Sequence, residues 1–322
     1  AALAVQSGLG SAWAAEECGP VPSGTEPEIT CPAQPGQYAT GISYLEGFIP
    51  DGLRLVFPSS VTVQRAPGPA NHGVDLATSG TNAIRVDLAA GVRISTSGAN
   101  AQGVKLKGKG NLIVDSSADI DVSDPSGVPD GSPTYAIIAE IDDVSATGNV
   151  VVNQRAGSRL TASGVESGGI AGRHEGSGSV LVITSGEIEA ASEGGYAISV
   201  WGRTRPGAPQ KNTADVKVVQ EEGGSVSIEG TVSVGVYALN DGTGHAEIEI
   251  HGAVTATGDF GTGLLSVVND ADSQARATVS VSRTGSVLAE GSDAWAVYVV
   301  TAGKGEAGFV TAGEVAAEGD DA

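Results

Sequence analysis

The chain repeats itself. Eight times it writes a triplet of short alternating segments, beginning with Val74-Asp75-Leu76, Ile84-Arg85-Val86 and Gly91-Val92-Arg93-Ile94. The next triplet runs Val104-Lys105-Leu106, Leu112-Ile113-Val114 and Ile120-Asp121-Val122. Later triplets open at Ile137, Ile170, Ile198, Val236, Leu265 and Val297, so successive openers lie 30, 33, 33, 28, 38, 29 and 32 residues apart. A period of this size marks a solenoid, whose units stack to share a core that none could bury alone. It also shifts the expected function from a pocket to a long surface.

The third segments show the repeat most clearly. They include Gly186-Glu187-Ile188-Glu189-Ala190, Gly224-Ser225-Val226-Ser227-Ile228, Gly252-Ala253-Val254-Thr255-Ala256, Gly285-Ser286-Val287-Leu288-Ala289 and Gly313-Glu314-Val315-Ala316-Ala317. Apolar residues alternate with mostly polar ones, the period-2 signal of a half-buried strand. Leu288 and Ala316 depart from the polar set. The leading Gly suits a tight corner. No long stretch carries a 3.6-residue apolar stripe, and 48 of the 322 residues are Gly, too many for helices of ordinary length. The predicted fold is all-β: a right-handed, three-faced parallel β-helix of about eight coils with a short N-terminal cap. At roughly 4.8 Å per coil it makes a rod section of roughly 40 Å. A propeller blade needs about 40–50 residues and four strands, and sandwiches rarely repeat their sequence.

A net charge of −21 argues against nucleic acid, whose recognition needs a basic stripe. Hydrophobic residues make up 40% of the chain and aromatics 4%. That composition fits a thin core of Val, Ile, Leu and Ala and not general disorder.

Three regions are expected. Residues 1–14, ending in Ala12-Trp13-Ala14, look like the end of a signal-peptide apolar region with its cleavage site. Residues 15–70 hold a Cys18–Cys31 loop, read as a disulfide of an oxidising compartment. They also hold cap strands at Leu53-Arg54-Leu55-Val56-Phe57 and Ser60-Val61-Thr62-Val63, bounded by Pro50, Pro58, Pro67 and Pro69. Residues 71–322 form the coils, which are expected to continue beyond Ala322 because an open solenoid end exposes unpaired strand edges.

An export signal, a short Cys loop, Gly41-Ile42-Ser43-Tyr44 and an acidic solenoid together resemble the N-terminal part of the passenger domain of a Gram-negative autotransporter, of the adhesin-like kind. The openers Ala83-Ile84-Arg85-Val86 and Ala197-Ile198-Ser199-Val200 and the Gly-x-Val-x-Ala closer carry the resemblance. It covers nearly the whole chain with loose motifs. It implies an outer-membrane β-barrel as partner, on the same chain or separate, and a location on the cell surface or outside the cell. It also implies type V secretion, in which a chain threads a pore unfolded and folds coil by coil.

Catalytic signals are sparse. Glu166-Ser167-Gly168-Gly169 is similar to the Asp-Ser-Gly of passenger proteases but has Glu for Asp and falls at a predicted corner. His72 and Asp75 lie close together and read as a solvated pair. The sequence contains neither a Gly-x-Ser-x-Gly elbow nor a His-Glu-x-x-His zinc motif. Asp75, Arg85, Arg93, Lys105 and Arg173 read as outward charges on separate faces, not as the converging group of a polysaccharide lyase. Asp119, Asp121 and Asp124 read as a strand edge and an Asp-Pro turn, not a calcium site. No catalytic residue, cofactor or metal is expected.

Two insertions break the period, at residues 124–132 and 202–212. Insertions in solenoids become surface loops that often bind partners. The second is basic in an acidic chain, and Trp201, Arg203, Arg205 and Lys211 form the candidate binding loop for an acidic host surface protein or a glycan. Tyr135, Tyr196, Trp201, Tyr237, Trp295 and Tyr298 cluster on first strands, as a stacking ladder or a sugar-binding surface. The expected role is a non-catalytic adhesin or stalk. The alternatives are a secreted carbohydrate-active β-helix enzyme and a bare spacer.

Overall fold

A computed structural model describes residues 17–33, 38–126 and 133–320. The expected signal remnant and residues 127–132 of the first insertion lie outside them. Among the described residues every regular element is a β-strand. The strands form three parallel sheets of 10, 9 and 9 strands, in which each strand pairs with the equivalent strand of the turns before and after it. This is the three-faced parallel β-helix that the repeat predicts.

The first face is built by Ile42–Tyr44, His72–Ala77, Gln102–Lys107, Tyr135–Ile141, Gly168–His174, Tyr196–Gly202, Val234–Asn240, Thr262–Val268 and Trp295–Thr301, which number turns 1 to 9. The second face runs from Glu28–Thr30 and Leu53–Phe57 to Ala307–Thr311, and the third from Thr62–Gln64 to Glu314–Glu318.

Nine turns stack where eight coils were expected. The difference lies in residues 15–70, where two strands were expected as a cap and Ile42–Tyr44 adds a third. Ile42–Tyr44, Leu53–Phe57 and Thr62–Gln64 pair in register with the three strands of turn 2, so they form a turn themselves. They alternate buried and outward residues as later turns do, and Pro50 and Pro58 sit outside the strands, where a missing N–H breaks no ladder bond. The register also shifts one opener. Val236 pairs with Leu264, not Leu265. Leu264 is fully buried, and a one-residue slip would exchange the two faces of the strand.

Inward Val, Ile, Leu and Ala from all three sheets make one continuous core. It needs a column of very small residues. Gly73, Gly103, Ala136, Gly169, Ala197, Gly235, Gly263 and Ala296 each precede the first-face opener of their turn. At five of them the third-face side chain already fills the space: a Cβ on Gly73, Gly103 or Gly169 would lie within 2.4 Å of the Cγ2 of Ile94, Ile120 or Ile188, and on Gly235 or Gly263 within 2.8 Å of the Cγ1 of Val254 or Val287. The core is therefore asymmetric, with bulk on the third face matched by absence on the first.

Buried polar side chains satisfy the corners. Gln154 and Gln220 donate from Nε2 to the carbonyls of Glu187 (3.0 Å) and Ala253 (2.7 Å) one turn ahead. Asn212 and Asn240 donate to the carbonyls of His174 and Ala214. His174 Nε2 donates to Gly148 O at 2.7 Å while its Nδ1 accepts from Gly176 N. That fixes its tautomer, and burial lowers its pKa, so it is a neutral corner clamp.

At the N-terminal end a Cys18–Cys31 disulfide is present. Glu17 Oε2 accepts from Ser43 N, the Tyr44 hydroxyl donates to Gly19 O, and Cys31 N donates to Val56 O. These contacts cover strand edges that would otherwise invite pairing with another chain.

The glycine column makes a quantitative expectation. Gly103→Ala should destabilise the chain by about 1–3 kcal/mol through overpacking, and Gly103→Val by more. Urea unfolding followed by circular dichroism reads this directly; an unchanged midpoint would show that Ile120 has room to move.

Candidate interaction surface

In phase, the ladder gives each face its own outer chemistry. The second face is laced by ion pairs: Arg54 with Glu28 and Asp87, Arg155 with Asp115, and Lys217 with Glu249 bridge neighbouring turns, and Arg85 pairs with Asp87 along one strand. Such exposed pairs contribute little each, but they set acids beside bases in a sheet that stacks Arg54 on Arg85 and Asp87 on Asp115. The third face carries short polar side chains. Asp121, Thr161, Glu189, Ser227 and Thr255 line a shallow depression of about 410 Å³, in which Thr161 donates to Asp121 and Arg159 pairs with Glu189.

The first face changes along the axis. In turns 2 to 5 its outward positions include Asp75, Lys105, Lys107, Glu140 and Arg173. In turns 7 to 9 they are Val234, Tyr237, Leu239, Thr262, Leu265, Val267, Trp295, Tyr298 and Val300, with no charge among them.

At the charged end, three side chains converge that the sequence separates by up to 33 residues. Register places Asp75 beside Lys105. Lys105 Nζ lies 3.2 Å from His72 Nε2, and Asp75 Oδ2 lies 4.0 Å from it. Arg85 and Arg93 point from other faces, so of the five charges read as separate only Asp75 and Lys105 meet. His72 and Asp75 are not the expected solvated pair, because His72 is 6% exposed. Burial, aided by Lys105 and Arg65, pushes its pKa down to about 3. At neutral pH the imidazole is uncharged and accepts a hydrogen bond from Lys105, which makes it a structural acceptor and not a base poised for proton transfer. Burial raises the carboxyls of Asp75 and Glu17.

The basic loop is present on the surface, but its charges turn inward. Arg205 pairs with Glu175 at 2.7 Å and donates to Asp142 O at 2.6 Å. Lys211 holds Asp270 at 2.8 Å and Asp272 at 3.2 Å, and this bond lowers the Asp270 pKa and raises that of Lys211. Trp201 Nε1 donates to Asp241 Oδ2 at 2.8 Å, and the Arg203 guanidinium lies 5.4 Å from the Trp201 ring centre. Thus two of the three cations reach acidic corners on turns to either side. The loop is a strap across the corner between first and second faces, and its positive charge is largely neutralised by this chain's own acid.

The other candidates take structural places. Ser167 donates to Gly164 O at 2.6 Å in a corner where Glu166 has φ of 54°, so this segment is a turn. Asp124 accepts from Ser126 N and Asp119 from Arg159 N. Among the described residues no cluster of three His, Cys, Asp or Glu could hold a metal ion. Tyr196 and Tyr237 stack at 5.0 Å with 14° between planes. A ring whose face lies on its neighbour cannot offer that face to a sugar, so this pair belongs to a ladder. Tyr135 is buried under Arg173, which pairs with Glu140.

Compared with protein-family models, with curated proteins and with solved structures, the chain matches none.

Two outcomes follow from this geometry. Between pH 6.5 and about 3 an unfolded histidine takes up a proton that folded His72 refuses, so acid weakens the fold across that window. Asp75 and Glu17 act in the opposite sense, taking protons earlier when folded. His72→Gln should therefore retain on the order of 1–2 kcal/mol more stability at pH 5 relative to pH 7 than the parent, read as thermal midpoints at both pH values. Replacing Arg205 and Lys211 together with Ala should speed amide exchange in residues 203–214 at least about tenfold and leave the core strands protected.

Proposed function

We propose that this chain is a surface-displayed or secreted passenger segment of an autotransporter, acting through contact as an adhesin or stalk and not as an enzyme. The observation that carries the reading is the division of the first face. One end bears buried and paired charges, and the other carries uncharged, mostly apolar outward positions. A rod with such a surface works by many contacts along its length, reinforced by many copies on a cell.

The architecture suits the export route. Each turn contacts its neighbours in sequence, so folding can propagate from one end as the chain emerges. The disulfide spans only a separation of 13 residues, a small obstacle for a threaded chain. Export would be through an outer-membrane β-barrel, on the same chain or separate. The carbohydrate-active alternative would draw on the third-face depression, but there Asp121 and Glu189 are already held by Thr161 and Arg159.

The natural full-length chain, expressed in a Gram-negative host, should lose residues 17–320 to protease added to intact cells, or release them to the medium. Retention of an intact, protected chain in the periplasm would overturn the proposal.

A further inference from the structure

The corner joining third to first face repeats one backbone conformation. Asn100, Glu166, Gly194, Val232, Phe260 and Asp293 occupy it with φ between 54° and 66°. Asn, Asp and Gly are the residues that enter this left-handed region readily; a β-branched residue there is a steric outlier. Val232 nevertheless takes it, and the next turn places Phe260 at the same position. They stack directly, since Val232 N donates to Asp259 O and Phe260 N to Ser292 O.

Neither side chain serves the fold. Val232 is 59% exposed and Phe260 55% exposed, and turns lie on both sides of each, so the exposure is not that of a chain end. Two residues that are unfavourable in their backbone conformation and unfavourable in water therefore sit side by side. Strain of this kind persists at sites of function. They adjoin the uncharged first face of turns 7 and 8, where apolar outward side chains crowd so closely that Val234 and Leu239 are only 7% and 8% exposed.

Charge decides what would cover this surface. The corner segments of turns 5 to 9, residues 164–167, 192–195, 230–233, 258–261 and 291–294, carry Glu166, Glu193, Asp259 and Asp293 and no Lys, Arg or His. Two copies of the chain meeting here would bring acidic rims together, and each copy has a net charge of −21. The same rim repels anionic lipid. A partner with apolar groups and flanking positive charge meets both features.

We propose that the Val232–Phe260 corner and the adjoining apolar face form a docking surface for a polypeptide segment whose apolar side chains are flanked by lysine or arginine. This names the kind of partner for the contact role proposed above and rests on it. It is tested on purified protein, so failure of export and failure of docking are separate results.

The probe is a synthetic twelve-residue peptide of alternating leucine and lysine, titrated into the chain by calorimetry. Expected is saturable one-site binding that weakens at least about tenfold in a Val232→Asn, Phe260→Asn variant. The variant's thermal midpoint should hold or rise, because Asn tolerates the left-handed conformation that Val resists. An alternating leucine–glutamate peptide and an alternating serine–lysine peptide should not compete. Any of four results overturns the proposal: equal binding by the variant, a lowered midpoint that assigns the two residues to the fold, equal binding of the serine–lysine peptide, or corner-dependent self-association or capture of phosphatidylcholine vesicles in place of the peptide.

Discussion

Everything in this molecule depends on the parallel backbone pairing between turns. Each strand donates and accepts on both edges, to the turn before and the turn after, so all three segments of a turn must arrive at the same height together. Corners absorb differences in length because a loop can bulge outward without breaking a ladder bond. That is why the step from Ile198 to Val236 can span 38 residues and still leave the two in register.

Fixed register converts a one-dimensional sequence into columns. Inside, a column of Gly and Ala on the first face answers a column of Ile and Val on the third. At the corners, Gln154, Gln220, Asn212 and Asn240 donate to carbonyls of neighbouring turns. Outside, side chains one turn apart are closest neighbours. Like charges that stack, Arg54 on Arg85 and Asp87 on Asp115, are offset by diagonal and same-strand ion pairs, and near His72 Lys105 lies against a buried imidazole. On the first face of turns 7 to 9 the outward positions carry no charge, and Tyr237 stacks on Tyr196.

The fold was largely legible. Alternation of apolar and polar residues, a near-constant period and Gly at the strand entrances suffice for three short strands per turn and for the inward set. The cap strands misled because their flanking prolines look like a boundary, although proline at a corner costs the ladder nothing. Leu264 and Leu265 were indistinguishable to a pattern of apolar residues, since both are leucine and only pairing with Val236 says which faces the core. The candidate surface was less legible. Trp201 and the cations after it stood out by composition, but their partners Glu175, Asp241 and Asp270 lie up to 59 residues away, and sequence has no measure of that proximity.

The sequence by itself determined the β-solenoid, the alternation of its core and the acidic character of its surface, because these depend on residue type at a local period. Only the tertiary structure decided which side chains share a column. That step joined His72 to Lys105, tied the basic loop to the chain's own carboxylates and set Val232 beside Phe260 on an acidic corner. The physical reason is the register of the parallel ladder, which brings residues about thirty positions apart to within one strand spacing, roughly 4.8 Å.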